Sequence, residues 1–388
     1  MTPDAIDETQ LSSVAQALLK SVSELAADPD QRVYAVMDGS QFNDLPRLLK
    51  QADISHRPLY RSAGGDPAVI VGGPWLVNPY QTALPNWMGE TPSEDAGEDD
   101  VSEVELEARS KALSAQMVAA LEAGDPTGGG MLPGPDSDPA LLFERLQKVI
   151  ALSDGKPALV FWSGDGEFTG EKLYRHLRGI NRISVPKTWK NDHGSSDIDA
   201  DTIDGEASRQ GHTVIFRHAD ANVMMQIIPA LDEVQVARLF GPASRIIFAP
   251  ETAFGGGVKR ATKNSNVSVT QGLLQLTTGD LETMGEIRAE ASRRRRIDVF
   301  RRSAPHLLTG KDDHEALLFM EQHERQARSY GLTTERGFFQ WTYLMGASDG
   351  RFIESPEIRA HLKSDNPDGR LNDVMRLMAS AAIEGARS

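Results

Sequence analysis

Residues 212–248 read HTVIFRHADANVMMQIIPALDEVQVARLFGPASRIIF, the densest apolar block of the chain. A strand pattern over 212–218 gives way to two short helical segments broken at Pro229. The chain then turns at Phe240-Gly241-Pro242 and resumes as a strand over 244–248. A block that returns from strand to strand through helix predicts a mixed α/β lobe. Asp220 stands where a helix starts, and cap chemistry accounts for it.

Upstream, apolar residues at Leu11, Val14, Ala15, Leu18, Leu19, Val22 and Leu25 have helical spacing. Residues 32–37 (RVYAVM) read as a buried strand ending at Asp38-Gly39, and Asn43 or Asp44 caps a short helix through Leu49. Residues 57–60 and 68–71 are strand candidates. Gly72-Gly73-Pro74 is a turn, and Trp75-Leu76-Val77 is extended. A helix from Leu141, a strand over 158–162, a helix capped by Thr169 and a strand over 182–185 follow. Two inserts interrupt this pattern, at about 88–140 and 190–211. Residues 90–107 hold nine acids and no Lys or Arg, a solvated composition, with a helix pattern over 104–121. Downstream, 254–267 reads as a Gly-rich basic loop. Helical patterns then cover 281–300, 312–330, 334–345, 355–362 and 371–383. The chain shows no internal repeat. The predicted organisation is an N-terminal helix (1–31), an α/β lobe (32–250), a connector (251–279) and an all-helical C-terminal lobe (280–388).

A length of 388 residues predicts two domains. A formal net charge of −15 opposes non-specific binding to nucleic acid or anionic membrane and suits a basic partner or simple solubility. The absence of cysteine removes disulfides, thiolate nucleophiles and Cys-ligated metals. No signal peptide or membrane span is visible, which predicts a cytoplasmic protein.

The motifs with chemical content are incomplete. Gly346-Ala347-Ser348-Asp349-Gly350 matches G-x-S-x-G, but a helical pattern precedes it where a nucleophile elbow needs a strand, so Gly346 reads as a helix cap. Ser163 has Phe161 where the first Gly belongs. Asp197, Asp199 and Asp201 begin a calcium loop that fails at Thr202 and Ser208. His314-Glu315 and His323-Glu324 lack the i, i+4 histidines of a zinc site. His176 reads as a partly buried structural histidine. The glycines, Lys259 and Arg260 of FGGGVKR (254–260) offer a phosphate cradle without P-loop spacing, and a connector accounts for them. Seven arginines lie between Arg288 and Arg302. Four in a row, Arg293 to Arg296, circle a helix rather than stripe it, which favours ion pairing over nucleic-acid contact. Two enzymatic alternatives stay open, a hydrolase using Ser348 or an Asp38/Asp220 carboxylate pair, and so does a nucleic-acid binder using the arginines from Arg293 to Arg302. No cofactor and no metal are expected.

Several segments, taken in order, resemble one family. They are 32–39 (RVYAVMDG), Pro74-Trp75-Leu76-Val77, His176-Leu177-Arg178, 214–220 (VIFRHAD) and Leu239-Phe240-Gly241-Pro242, with Tyr330-Gly331-Leu332-Thr333 in the helical tail. Together they resemble the bacterial type VI secretion effector chaperones, or adaptors. The resemblance covers roughly 32–350. At Phe216-Arg217-His218-Ala219-Asp220-Ala221 the aromatic-to-Asp spacing is altered and the family's proline is missing. The resemblance implies a non-enzymatic cytoplasmic protein that binds the N-terminal part of a toxic effector and delivers it to the VgrG spike. It marks Asp38, Trp75, His176, Arg178, Phe216, Arg217, Asp220, Phe240, Gly241 and Pro242 as scaffold or partner-binding positions. Met224, Met225, Phe338, Phe339 and Trp341 are candidates for an adaptable effector groove, with core packing the alternative for each.

Overall fold

A computed structural model describes residues 11–60, 67–83, 139–187, 211–264, 266–267 and 272–385. The chain divides into two compact units, Met1–Met284 and Gly285–Ser388. The first mixes strands and helices, and the described part of the second is helical, an α/β lobe followed by a helical lobe.

In the first unit, α1 (Ser13–Ala26) begins at Ser12, whose hydroxyl accepts from the Ala15 amide at 3.2 Å. Its buried stripe of Ala15, Leu18, Leu19 and Val22 lies against the unit's main sheet, so the helix belongs to this unit. That sheet has six strands in the order β2-β3-β1-β4-β7-β8. They are β1 (Gln31–Asp38), β2 (Ser55–Pro58), β3 (Pro74–Asn78), β4 (Leu159–Asp165), β7 (Arg245–Phe248) and β8 (Lys259–Thr262). Every neighbouring pair is antiparallel. Antiparallel sheets commonly keep one wet face; this one is covered on both. Val33, Ala35, Met37, Phe161 and Ile247 point into a core shared with α1, α2 (Leu45–Gln51) and α4 (Pro139–Ser153). Tyr34, Val36, Val160, Trp162, Ile246 and Phe248 point into the opposite core, with α5 (Gly170–Ile180), α6 (Ala221–Ile227) and α7 (Glu233–Phe240). Two buried faces explain the unbroken apolar runs at 33–37 and 158–162. Each fully buried large side chain contributes about 1.5–3 kcal/mol relative to exposure.

A second sheet closes the latter core. Its order is β6-β5-β9, with β5 (Arg182–Pro186) antiparallel to β6 (Gly211–Ile215) and parallel to β9 (Leu274–Gln275). Although the sequence shows no repeat, α1-β1 and α4-β4 run alike. Each strand ends in Asp-Gly before a capped helix, and β1 and β4 pair antiparallel at the sheet centre.

In the second unit, α9 (Asp313–Ser329), α10 (Glu335–Ala347), α11 (Pro356–Leu362) and α12 (Pro367–Gly385) follow the long α8 (Thr278–Ser303), which crosses the unit boundary. Asp312 and Glu315 form a capping box, and Thr334 and Ser355 cap the next two helices. Trp341 anchors the core between Tyr330 (4.9 Å between ring centroids) and Phe352 (6.1 Å).

Four sequence expectations need correction. Residues 68–71 are the end of a helix, α3 (Pro67–Val71), not a strand. Proline opens it and the Gly72 and Gly73 amides close it onto Ala68 and Ile70; four apolar residues cannot distinguish helix from strand. The 254–267 loop contains strand β8, whose polar outer residues hid it. The strand expected over 212–218 stops at Ile215, because the Arg217 carbonyl accepts from the Asp220 amide in a turn. Gly346 is not the cap of its helix: the helix runs to Ala347, Ser348 caps it and Gly350 takes the left-handed conformation, with φ 79°. The 104–121 helix pattern, the Asp197-Asp199-Asp201 motif and most of both acidic inserts lie outside the described residues.

Candidate functional site

Asp38 ends β1 and Asp220 caps α6, 182 positions apart by numbering (220 − 38). The turn after β6 places Arg217 between them. Its Nη2 donates to Asp38 Oδ2 at 2.5 Å and lies 3.4 Å from Asp220 Oδ2. The other oxygen of each carboxylate serves the local backbone. Asp38 Oδ1 accepts from the Ser40 amide (3.0 Å) and hydroxyl (2.7 Å). Asp220 Oδ1 accepts from the Asn222 (2.8 Å) and Val223 (3.3 Å) amides. Burial pushes the Asp220 carboxyl above its ordinary range, against the opposing pull of Arg217 and the two cap amides. Asp38 is therefore a turn former, Asp220 a helix cap, and Arg217 the tie between them. This cluster borders a cleft of about 320 Å3 lined by Asp38, Ser40, Tyr60, Pro74, Ile215 and Arg217 among others.

A second cluster locks the Phe-Gly-Pro turn. His176 on α5 donates from Nε2 to the Leu239 carbonyl (2.7 Å), and its Nδ1 faces the Arg238 guanidinium (3.4 Å). The ring lies against Gly241, which closes α7 with φ 55°. The Gly241 carbonyl accepts from Lys263 Nζ at 2.6 Å. Phe240 is wholly buried in the core beneath. Pro242, next in the turn, is exposed. Phe216 is buried beside His218, with ring centroids 5.8 Å apart. Trp75 is buried and donates to the Val71 carbonyl at 3.2 Å. Arg178 lies over Tyr174 on its own helix, 5.5 Å from the ring.

His218 is fully buried. Asn181 gives its amide nitrogen to the Leu59 carbonyl (2.9 Å), so its Oδ1 accepts from His218 Nε2 (2.8 Å). The neutral ring therefore carries its proton on Nε2, and Nδ1 has no partner among the described residues. Burial pushes His218 from 6.5 down to about 3, with His176 adding to the shift. Burial pushes His176 down to about 4, partly offset by the Leu239 carbonyl and reinforced by Arg238 and Lys263. Both folded values lie below the unfolded one, so the contribution to stability is full above pH 6.5 and is lost as pH falls from there toward 4 and 3. The slope is about 1.4 kcal/mol per pH unit per histidine. The urea midpoint of the full chain is expected to fall steadily between pH 7 and 5. In His218→Gln, which retains a donor to Asn181, that fall should be shallower. An unchanged slope would show that His218 does not titrate on unfolding.

The groove candidates separate. Met224, Phe338 and Trp341 are buried core residues and line no groove, a correction with a packing reason. Met225 packs half-buried against the first unit's core, and Phe339 is half-buried and stacked on Phe300 at 4.6 Å. Ser348 also loses its chemistry. A helix precedes it, and its hydroxyl donates to the Leu344 carbonyl (2.6 Å) and accepts from the Phe352 amide (3.0 Å). The phosphate-cradle reading fails because the Gly255 and Gly256 amides donate to Thr252 and Glu251 carbonyls, and Lys259 turns onto the Gly255 carbonyl. In the arginine cluster, Arg293 and Arg296 pair with Glu324, Arg294 with Glu290 and Arg301 with Asp313. Sequence reasoning missed Ser40, Tyr60, Asn181 and Ile215. Of these, only Ser40 carried a signal, as the second residue after a strand-ending Asp.

Among the described residues no group of His, Asp and Glu is arranged to hold a metal, and no helix is long and apolar enough to cross a membrane. Comparison with known protein families, curated proteins and solved structures gives no match.

Proposed function

We propose that the chain is a binding protein of the type VI effector-chaperone kind, which holds a toxic effector in the cytoplasm and loads it onto a VgrG spike. The observation that carries this reading is the contact of Asp38 with Arg217, 179 residues apart, and of Arg217 with Asp220. Asp38 comes from one segment that resembles that family and Arg217 and Asp220 from another, and the two segments meet in one unit. His176 and Gly241, from two more such segments, meet in the same way. Contacts of this kind are what landmarks of a shared scaffold make; a catalytic carboxylate pair has oxygens free for substrate, whereas three of these oxygens accept from the chain's own donors and the fourth, Asp220 Oδ2, faces the Arg217 guanidinium. Arg293, Arg294, Arg296 and Arg301 on α8 are engaged with acids of their own unit, which weakens a nucleic-acid reading in a chain of net charge −15.

The test is co-expression with any toxin that a neighbouring gene encodes. A stable complex on size exclusion, and loss of spike loading when the chain is deleted, are the expected results. A toxin that stays soluble and reaches the spike without the chain would overturn the reading.

A further inference from the structure

β6 is an end strand of the second sheet. The Phe216 amide donates to the Asn181 carbonyl (2.8 Å), extending the β5–β6 register by one pair. Hydrogen-bonded pairs alternate in an antiparallel ladder, so residues 212, 214 and 216 turn their backbone groups toward β5. Thr213 and Ile215 turn theirs outward. Among the described residues no strand pairs with that outer edge. Val214 packs onto the core, while Ile215, opposite Arg182, is 57% exposed.

Sheet edges ordinarily carry a device against unwanted pairing. β2 ends in Arg57-Pro58, β8 carries Lys259 and Arg260, and β9 is only two residues long. β6 reads Gly-His-Thr-Val-Ile and has none of these. Its end opens on the cleft lined by Tyr60, Pro74 and Arg217. Arg217 meets Asp38, Ser40 and Asp220 through Nη2 alone, and 45% of its side chain is exposed, so Nε and Nη1 remain available to a partner. Arg182 and Lys187 on the neighbouring strand and the turn after it are also exposed. The acids beside Arg217 are buried and already bonded. Among the described residues, the exposed charge around this edge comes from Arg182, Lys187 and Arg217 and is positive, on a chain whose net charge is −15.

We propose that the outer edge of β6 and the adjoining cleft form a strand-addition site for an extended acidic segment of a partner protein. Backbone groups of Thr213 and Ile215 pair with the segment, and one of its apolar side chains lies over Ile215 toward Tyr60 and Pro74. An acidic side chain meets Arg182 and the open side of Arg217. The proposal rests on the binding-protein reading only for the identity of that partner.

The test uses the full chain and a capped peptide of about eight residues alternating valine and glutamate, with a valine–lysine peptide as control. Hydrogen exchange at the Thr213 and Ile215 amides should slow with the acidic peptide and not with the basic one. Thr213→Pro removes an outward N–H, a substitution edge strands tolerate, and should weaken binding about tenfold or more while the fold persists. Ile215→Lys should do the same without touching the backbone. Equal binding by both variants, equal binding of both peptides, or no slowing of exchange would overturn the proposal. So would protection of both amides in the free chain, which would mean that the edge is already covered without a partner. Peptide binding without any effector complex would overturn the carrier reading and leave the edge standing; an effector complex unaffected by either variant would do the reverse.

Discussion

Gly241→Ala is expected to destabilise the first unit by about 3 kcal/mol or more, read as a lower urea midpoint for the full chain. Two costs add. Gly241 has φ 55° and ψ −119°, a region that a residue with a side chain occupies only under strain. Its new Cβ would also fall 2.2 Å from His176 Nδ1 and 2.3 Å from Cε1, far inside contact distance. The imidazole cannot simply swing away, because Nε2 is tied to the Leu239 carbonyl and the ring lies edge-on to Trp162, with centroids 6.3 Å apart. Adding His176→Ala to Gly241→Ala should recover part of the loss by removing the collision, but not the backbone strain. The double variant then sits above the sum of the two single effects, the signature of direct contact. A Gly241→Ala protein with wild-type midpoint would show that the turn and the ring are not packed as described.

That pair shows where sequence reading reaches and where it stops. Phe240-Gly241-Pro242 is legible as a turn because local chemistry alone dictates it, and so are the caps at Asp44, Thr169 and Asp220. The buried strand is legible because burial on both sides leaves no polar alternation at 33–37. What His176 does for Gly241 is not legible. Nothing local to residue 176 encodes a partner beyond position 238, and a helical histidine beside a tyrosine fits many surroundings. The aromatic residues of α10 fail for a different reason. Phe338 and Trp341 have the spacing of one helix face, and that spacing serves a core and a groove equally; only the packing of Tyr330 and Phe352 around Trp341 decides for the core. The Asp38–Arg217–Asp220 cluster lies between these cases. Asp38 and Asp220 each had a local reading, as turn and as cap, and the structure retains both while adding the Arg217 guanidinium that links them.

Glu324→Gln is expected to cost the helical unit about 3–5 kcal/mol, because it removes the charge at the centre of a buried ion cluster. The Glu324 side chain is 4% exposed and receives three guanidiniums: Arg293 at 3.1 Å, Arg328 at 3.1 Å, and Arg296. Arg296 is itself buried, 6% exposed at the side chain, and its guanidinium lies 5.4 Å from the Phe338 ring centre, with that of Arg328 at 4.6 Å. Arg328 and, less freely, Arg293 can turn toward water when the carboxylate goes, but Arg296 is left charged in the interior. Burial alone would raise the Glu324 carboxyl; the Arg296 and Arg293 guanidiniums overcome this and hold it below its ordinary 4.5. A depressed folded value contributes stability above pH 4.5 that is lost as pH falls through the folded value. The gap between wild type and Glu324→Gln should therefore be constant above about pH 5 and close below it as the wild-type carboxylate is protonated. Thermal unfolding of the full chain, with amide exchange read across α9 and α10, measures both. Replacing the pair together, Arg296→Met with Glu324→Leu, should restore much of the loss, since apolar residues of similar volume need no counter-charge. If Glu324→Gln unfolds as wild type does, the arginines of α8 are held by something other than this carboxylate. A double variant no more stable than Glu324→Gln would place the cost in packing around Phe338 rather than in the stranded charge.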